Sequence, residues 1–352
     1  MTGSGLQIGS RWIGASAPVY IIAELSANHN QNFERAVRII HAAKNAGADA
    51  VKLQTYTADT ITLRSDKEYF RIAGGTLWDG RILHDLYQEA STPWEWQPKL
   101  KAIADELGMH LFSSAFDDSA VDFLEQMNVP AHKLASFELV DIGLIQKMAR
   151  TGKPLIMSTG MASSEEISEA VQAARKAGAS QIALLKCTSA YPAPPEEANL
   201  LTIPELARRF NCPAGLSDHT MGIAVPVAAV ALGACIIEKH LCLSRADGGP
   251  DSAFSLEPEE FKAMVDAVRT AEKALGSPQF APGKREANSL KFRRSLFVVE
   301  NVKRGDLFTE QNVRSIRPTD GLHPRHLNEV LGQRAARDIA RGTPLSWELV
   351  AR

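Results

Sequence analysis

Two histidines end two apolar runs, Pro213-Ala-Gly-Leu-Ser-Asp-His219 and Cys235-Ile-Ile-Glu-Lys-His240. As neighbouring strands of one sheet, these runs would lie roughly 4.8 Å apart, so their imidazoles could share a divalent cation. Strand side chains alternate between faces. Glu238 therefore shares a face with His240, Ser217 with His219, and Glu24 with Ile22 and Ser26. Closing the sheet sets the first strand beside the last and gathers Glu24, Glu238, His219 and His240 into one cluster. Two neutral imidazoles leave coordination positions open, as catalytic rather than structural sites do. Oxygen from water or substrate would fill them, which suits Mn2+, Mg2+, Co2+ or Zn2+. A single histidine at a strand end is usually just hydrogen-bonded; two on adjacent strands beside a carboxylate favour the metal.

Lysines supply the second signal. Lys52 lies within Ala50-Val-Lys-Leu-Gln54, Lys133 within Ala131-His-Lys-Leu-Ala135, and Lys186 within Ala183-Leu-Leu-Lys-Cys187. An ammonium in an apolar strand is costly unless paired. The three imply an anionic ligand or internal carboxylate partners such as Glu24 and Glu238. Ser136, Ser158 and Ser217 at neighbouring strand ends suit a phosphorylated, carboxylated substrate. A Schiff-base aldolase or lyase, with Lys133 or Lys186 as nucleophile, is the competing chemistry. Gln54, Tyr191 and Asp251 also lie near strand ends and are weaker candidates.

The elements that must hold these groups alternate regularly. Strands are expected at Val19–Leu25, Ala50–Thr55, His110–Ser114, His132–Ser136, Pro154–Thr159, Ile182–Thr188, Ala214–His219 and Cys235–Leu241. Amphipathic helices are expected between them, among them Phe33–Ala46, Pro93–Leu107, Ser164–Ala177 and Leu201–Phe210. Gly47, Gly108 and Gly178 then serve as left-handed helix stops. Eight such units make an α/β fold of the (β/α)8 TIM-barrel type. An open doubly wound sheet is disfavoured, because no GxGxxG follows the first strand. The long connection 56–90 carries Gly74-Gly75-Thr76-Leu77-Trp78-Asp79-Gly80-Arg81 and is expected to cover substrate.

The barrel is expected over residues 1–275, a Pro/Gly-rich linker over 276–290, and a small β-rich module over 291–352. Within the module, Val302-Lys-Arg-Gly305 is echoed by Ile339-Ala-Arg-Gly342. Taken alone, this module could be a carbohydrate- or ice-binding unit, but a mere scaffold has no reason to bury three ammonium groups. With 39 basic and 41 acidic residues the chain is no polyanion binder, so no nucleic-acid partner is expected. The longest nearly apolar stretch, 222–237, is short for a membrane span and carries Pro226 and Gly233. Met1–Gln7 lacks the basic and apolar regions of a signal peptide, and the four cysteines show no CxxC spacing. A cytoplasmic protein is therefore expected.

Ala23-Glu-Leu-Ser-Ala-Asn-His29, Ala50-Val-Lys-Leu-Gln-Thr55, Lys133-Leu-Ala-Ser136, Ser158-Thr-Gly160, Leu216-Ser-Asp-His219-Thr and Glu238-Lys-His240 occur in this order. As an ordered set they resemble the sialic acid synthase family, over nearly the whole chain. The resemblance implies a TIM barrel joined to a C-terminal SAF (antifreeze-like) β-clip domain. It also implies condensation of phosphoenolpyruvate with an open-chain aminosugar, giving a nine-carbon 2-keto acid and phosphate. By motif, His219 and His240 would hold the metal. Lys52, Lys133, Ser136, Ser158 and Ser217 would hold phosphoenolpyruvate, and Lys186 stays a substrate-binding candidate as a lysine in an apolar strand. Glu24, Gln54, Tyr191 and Asp251 would lie near the sugar or the attacking water, with Glu238 in support. Arg317, in Ser315-Ile-Arg-Pro318, matches an arginine that reaches the other subunit's site in a domain-swapped homodimer. Leu25-Ser26 and Ser189 replace an Ile-Gly pair and an Asn typical of neuraminate synthases, which argues against N-acetylmannosamine. The aminosugar that the resemblance implies is a 2,4-diacetamido-2,4,6-trideoxy-hexose.

Overall fold

The structure is a computed structural model that describes residues 5–351. Part of the expectation of no signal peptide rests on the first four residues, which lie outside the described range. Two short strands, β1 (Leu6–Ile8) and β2 (Arg11–Ile13), form an antiparallel hairpin at the start of the chain. Sequence pattern missed it, because three-residue strands are too short to show alternation. Eight parallel strands then close into a barrel. They are β3 (Tyr20–Glu24), β4 (Ala50–Thr55), β5 (His110–Ala115), β6 (His132–Leu134), β7 (Leu155–Ser158), β8 (Ile182–Cys187), β9 (Ala214–Asp218) and β10 (Ile236–His240). β10 pairs with β3 and closes the ring, with His240 opposite Glu24. The expected (β/α)8 TIM barrel is thus the observed architecture. Six strands are one or two residues shorter than the hydrophobic runs, β4 matches its run, and β5 is one residue longer.

Local signals explain the helices. In Phe33–Ala46, Ala36, Ile39, Ile40 and Ala43 make one buried stripe. Asn32 accepts from Arg35 N at the start, and Gly47 at φ 91° ends the helix. Ser163 and Glu166 form a capping box at the head of Ser164–Lys176. Between strands and helices lies one continuous apolar core. The strands are buried on both faces, as their nearly unbroken apolar runs require.

A second compact unit begins at Ser277. The expected linker is partly structured, since it contains the short helix Lys284–Ala287. The unit has its own core, including Leu296, Val298, Phe308 and Leu345, and a two-stranded antiparallel sheet of β11 (Ser295–Val298) and β12 (Val313–Ile316). The internal repeat is real in three dimensions. Val302 and Ile339 exchange backbone hydrogen bonds of 2.9 and 2.8 Å, and Gly305 and Gly342 both sit at φ 87°.

Candidate active site

Strand register decides which side chains meet inside the barrel. Ser217 lies opposite Glu238 and Glu238 opposite Ile22, while Glu24 lies opposite both His240 and Lys52. On the far side, Gln54 lies opposite Ser114 and Ser114 opposite Lys133. The opposite parity points outward. There Lys239, fully buried, donates to Asp218 and to the Thr220 carbonyl.

Lys52 is the hub of a buried network. Its Nζ lies 2.6 Å from Glu24 Oε2 and 2.9 Å from Glu238 Oε1, and Ser217 Oγ also donates to Glu238 Oε1 at 2.9 Å. Of the alternatives open for this lysine, internal pairing is what the barrel uses. Burial alone would lower the amine's pKa, but the two carboxylates outweigh it and hold the ammonium charged. Burial is also the largest influence on Glu24 and, with Glu238 nearby, pushes it up to about 7 despite Lys52. Burial opposes ionisation of Glu238 too, but Lys52 and Lys133 prevail and keep it below the usual carboxylate range. Glu238 Oε2 remains buried without a hydrogen-bond partner.

Lys133 differs. It is buried, and its Nζ donates to the Leu134 carbonyl at 2.8 Å and to Ser158 Oγ at 2.7 Å. Among the described residues no carboxylate lies within ion-pair reach of it. Burial lowers its amine to about 8. Ser136 Oγ accepts from Gly160 N at 3.1 Å nearby. Two carboxylates and two ammoniums thus balance inside the barrel, and the lysine without a carboxylate is held by a hydroxyl and a backbone carbonyl. An incoming dianion would find its partner there.

Lys186 departs from expectation. Register places Leu185 and Cys187 on the face of Ser158 and Ser217, so Lys186 points to the other face beside Leu216. Its half-buried amine donates to the Cys187 carbonyl at 2.8 Å and to Thr188 Oγ1. An apolar run is equally continuous on both faces of a barrel strand, so the sequence alone does not reveal this parity. Lys186 is accordingly withdrawn both as a substrate ligand and as a Schiff-base nucleophile.

His219 and His240 have ring centroids 5.3 Å apart. That separation lets both rings reach one cation at metal–nitrogen distances of about 2 Å. The His219 Nδ1–H donates to the Thr188 carbonyl at 3.0 Å, which orients the ring and leaves Nε2 free as a donor to metal. Burial, with His219 and Lys52 adding to it, keeps His240 neutral, and its Nδ1 is buried without a hydrogen-bond partner. Among the described residues no third His, Cys, Asp or Glu joins them in a closed cage. A divalent cation therefore fits, with the remaining positions left to water or substrate.

Asp251, Tyr191 and Gln54 lie at the mouth of the barrel. Asp251 accepts from Ser26 Oγ and from Ala27 N, and burial raises its pKa. Tyr191 packs on His219 at 4.5 Å between ring centroids. Gln54 is half-buried one layer above Lys52. Arg317 follows β12 in the second unit and is exposed. Sequence reasoning missed Glu138, in the turn Ser136–Glu138 after β6. Burial pushes its carboxyl up to about 7, and its Oε2 has no hydrogen-bond partner. It also missed Ser114, whose buried Oγ has no partner. Ser114 shows itself only through the register that sets it opposite Lys133. Glu138 lies off the strand pattern and gave no signal.

Comparison with known proteins agrees with this geometry. The NeuB family model matches residues 39–280, and the SAF domain model matches 293–351. The chain is 46% identical over 337 residues to the pseudaminic acid synthase of Helicobacter pylori, covering 95% of this chain and 98% of that one. It is 34% identical over 340 residues to the N,N'-diacetyllegionaminic acid synthase of Legionella pneumophila, covering 95% of each. The crystal structure of the spore coat polysaccharide biosynthesis protein SpsE of Bacillus subtilis superposes with a TM-score of 0.67, at 34% identity and over 99% of both chains. A barrel lined by this lysine–carboxylate network, followed by a repeat-built module, places the chain in the NeuB family with a C-terminal SAF domain.

Proposed function

We propose that the chain is a pseudaminic acid synthase. It condenses phosphoenolpyruvate with open-chain 2,4-diacetamido-2,4,6-trideoxy-L-altrose to give the nine-carbon 2-keto acid and phosphate. The observation that carries this reading is Lys133, a buried amine held by a hydroxyl and without a carboxylate partner, in a chain 46% identical to such a synthase and only 34% identical to a legionaminate synthase. Lys133, Ser158, Ser136 and Ser217 would hold the phosphate and carboxylate, with Lys52 as the charge shared between them and the two glutamates. His219 and His240 would hold the divalent cation, which when bound supplies Lewis acidity to the aldehyde oxygen.

The bonds then change in order. C3 of the enol attacks the aldehyde carbon, a C–C bond forms, and positive charge develops at C2. Water adds to C2, and the C2–O bond of the tetrahedral intermediate breaks to expel phosphate. Glu24, raised to about 7 mainly by its burial, can take the proton from that water near neutral pH. Glu238 stays ionised and steadies Lys52. Gln54, Tyr191 and Asp251 line the sugar's side. Arg317 would close the site of the other subunit in a domain-swapped homodimer. Exposed apolar side chains on loops at the C-terminal ends of the strands, Phe137, Val140, Met161 and Met221, support a partner over that rim. Four unpaired buried cysteines suit a reducing cytoplasm, and among the described residues no helix is long and apolar enough to cross a membrane.

A phosphate-release assay with phosphoenolpyruvate and a panel of aminosugars tests the assignment. The diacetamido-trideoxy-altrose should be preferred, EDTA should abolish turnover, and His219→Ala should stay inactive in excess metal. Phosphate should keep the bridging oxygen of labelled phosphoenolpyruvate. Borohydride trapping of substrate on Lys133, with turnover untouched by chelation, would instead make the protein a Schiff-base lyase.

A further inference from the structure

Trp78 carries the long connection between β4 and β5 to the mouth. Trp78 packs edge-on and tilted against two aromatic rings, Phe254 at 6.5 Å and Tyr191 at 5.7 Å between centroids. Those rings lie directly on the histidine pair, with Phe254 5.0 Å from His240 and Tyr191 4.5 Å from His219. Trp78 itself pairs with neither imidazole. Its indole N–H donates to the Pro250 carbonyl at 3.1 Å, which ties this loop to the one that follows β10.

The loop is built to hold that ring still. Asp79 accepts from Gly75 N at 2.8 Å, Thr76 N at 2.9 Å and Thr76 Oγ1 at 2.7 Å. Arg81 is engaged by Glu89, and Ile72 and Arg81 close the base through Ile72 N to Arg81 O at 2.9 Å. The charged groups flanking Trp78 are therefore taken up inside their own loop. The one polar atom of the indole is occupied too. What Trp78 offers a ligand is a half-buried hydrocarbon face.

We infer that Trp78 is a specificity-determining residue, which selects aldoses carrying methyl-bearing substituents on the carbons far from the aldehyde. This rests on the functional reading above. With the aldehyde beside the histidine pair, an open chain that extends along Tyr191 and Phe254 meets the face of Trp78. A 2,4-diacetamido-2,4,6-trideoxy sugar presents an acetamido methyl at C4 and a methyl at C6. A simple 2-acetamido hexose presents hydroxyls at both carbons, and the indole face has no free group to bind them. A ring that accepts methyls and cannot satisfy hydroxyls discriminates by burial on one side and desolvation on the other. Each methyl-sized group is worth roughly tenfold or more in selectivity.

The test is steady-state kinetics of full-length wild type, Trp78→Ala and Trp78→Phe with Mn2+. The two probes are the diacetamido-trideoxy-altrose and N-acetylmannosamine. Trp78→Ala should raise KM for the diacetamido sugar at least tenfold and change KM for phosphoenolpyruvate less than twofold. It should also shrink the ratio of kcat/KM between the two sugars at least tenfold. Trp78→Phe, which keeps a ring and folds without the indole hydrogen bond, should retain most of that ratio. Equal losses on both sugars, or a loss confined to phosphoenolpyruvate, overturn the assignment of Trp78 and leave the synthase reading intact. A wild type that prefers N-acetylmannosamine overturns both.

Discussion

Lys133 and Lys52 show how one residue type acquires two roles inside a single barrel. Lys52 is clamped between Glu24 and Glu238, so its charge is already spent. Lys133 keeps its charge available, at the cost of a pKa lowered by burial to about 8. Its ammonium form dominates below that value and is lost as pH rises through it. Capture of phosphoenolpyruvate should follow, so kcat/KM for this substrate should fall on an alkaline limb near pH 8, since that parameter reports the free enzyme. Lys133→Arg, with a guanidinium that stays charged, should move the limb out of range. A limb unchanged in that variant would assign it to another group. Lys133→Met should raise KM for phosphoenolpyruvate by roughly 10- to 150-fold, the worth of a charge-assisted hydrogen bond of about 1.5–3 kcal/mol.

At the scale of elements, β9 and β10 each present two chemistries by parity. Inward they carry Ser217 and Glu238 toward the substrate space. Outward they carry Asp218 and Lys239, an ion pair sealed between sheet and helices, where both side chains are almost wholly inaccessible. The outward pair holds the strand ends from which His219 and His240 project. Removing one partner strands a charge in a dry setting. Asp218→Ala should therefore cost about 3–5 kcal/mol, read from urea denaturation. A loss below about 1 kcal/mol would mean that water reaches Lys239 in the folded state.

At the scale of the molecule, the question is whether one chain completes its own site. Arg317 belongs to the second unit, directly after β12 of its two-stranded sheet. In a swapped homodimer, mixing Arg317→Ala with His219→Ala protomers gives heterodimers in which one barrel has its histidine pair and receives an intact Arg317. Refolding an equal mixture should recover roughly a quarter of wild-type activity from two inactive parents. A dimer that completes its sites in cis recovers none, and size-exclusion chromatography with light scattering reports the oligomer alongside.

The sequence by itself determined the elements, because period and punctuation are local: apolar runs, capping residues such as Asn32 and Ser163, and glycine stops at Gly47 and Gly178. It also placed His219, His240, Glu24 and Glu238 together, since alternation within a strand and closure of an eight-strand ring leave little freedom. The tertiary structure decided what depends on register between strands. It turned Lys186 away from the barrel axis, gave Lys52 to the carboxylates and left Lys133 without one. It also brought Trp78, Tyr191 and Phe254 together from three loops far apart in the chain. A one-residue change of register exchanges the faces of every side chain on a strand, and no single strand's own residues record which partner it will meet.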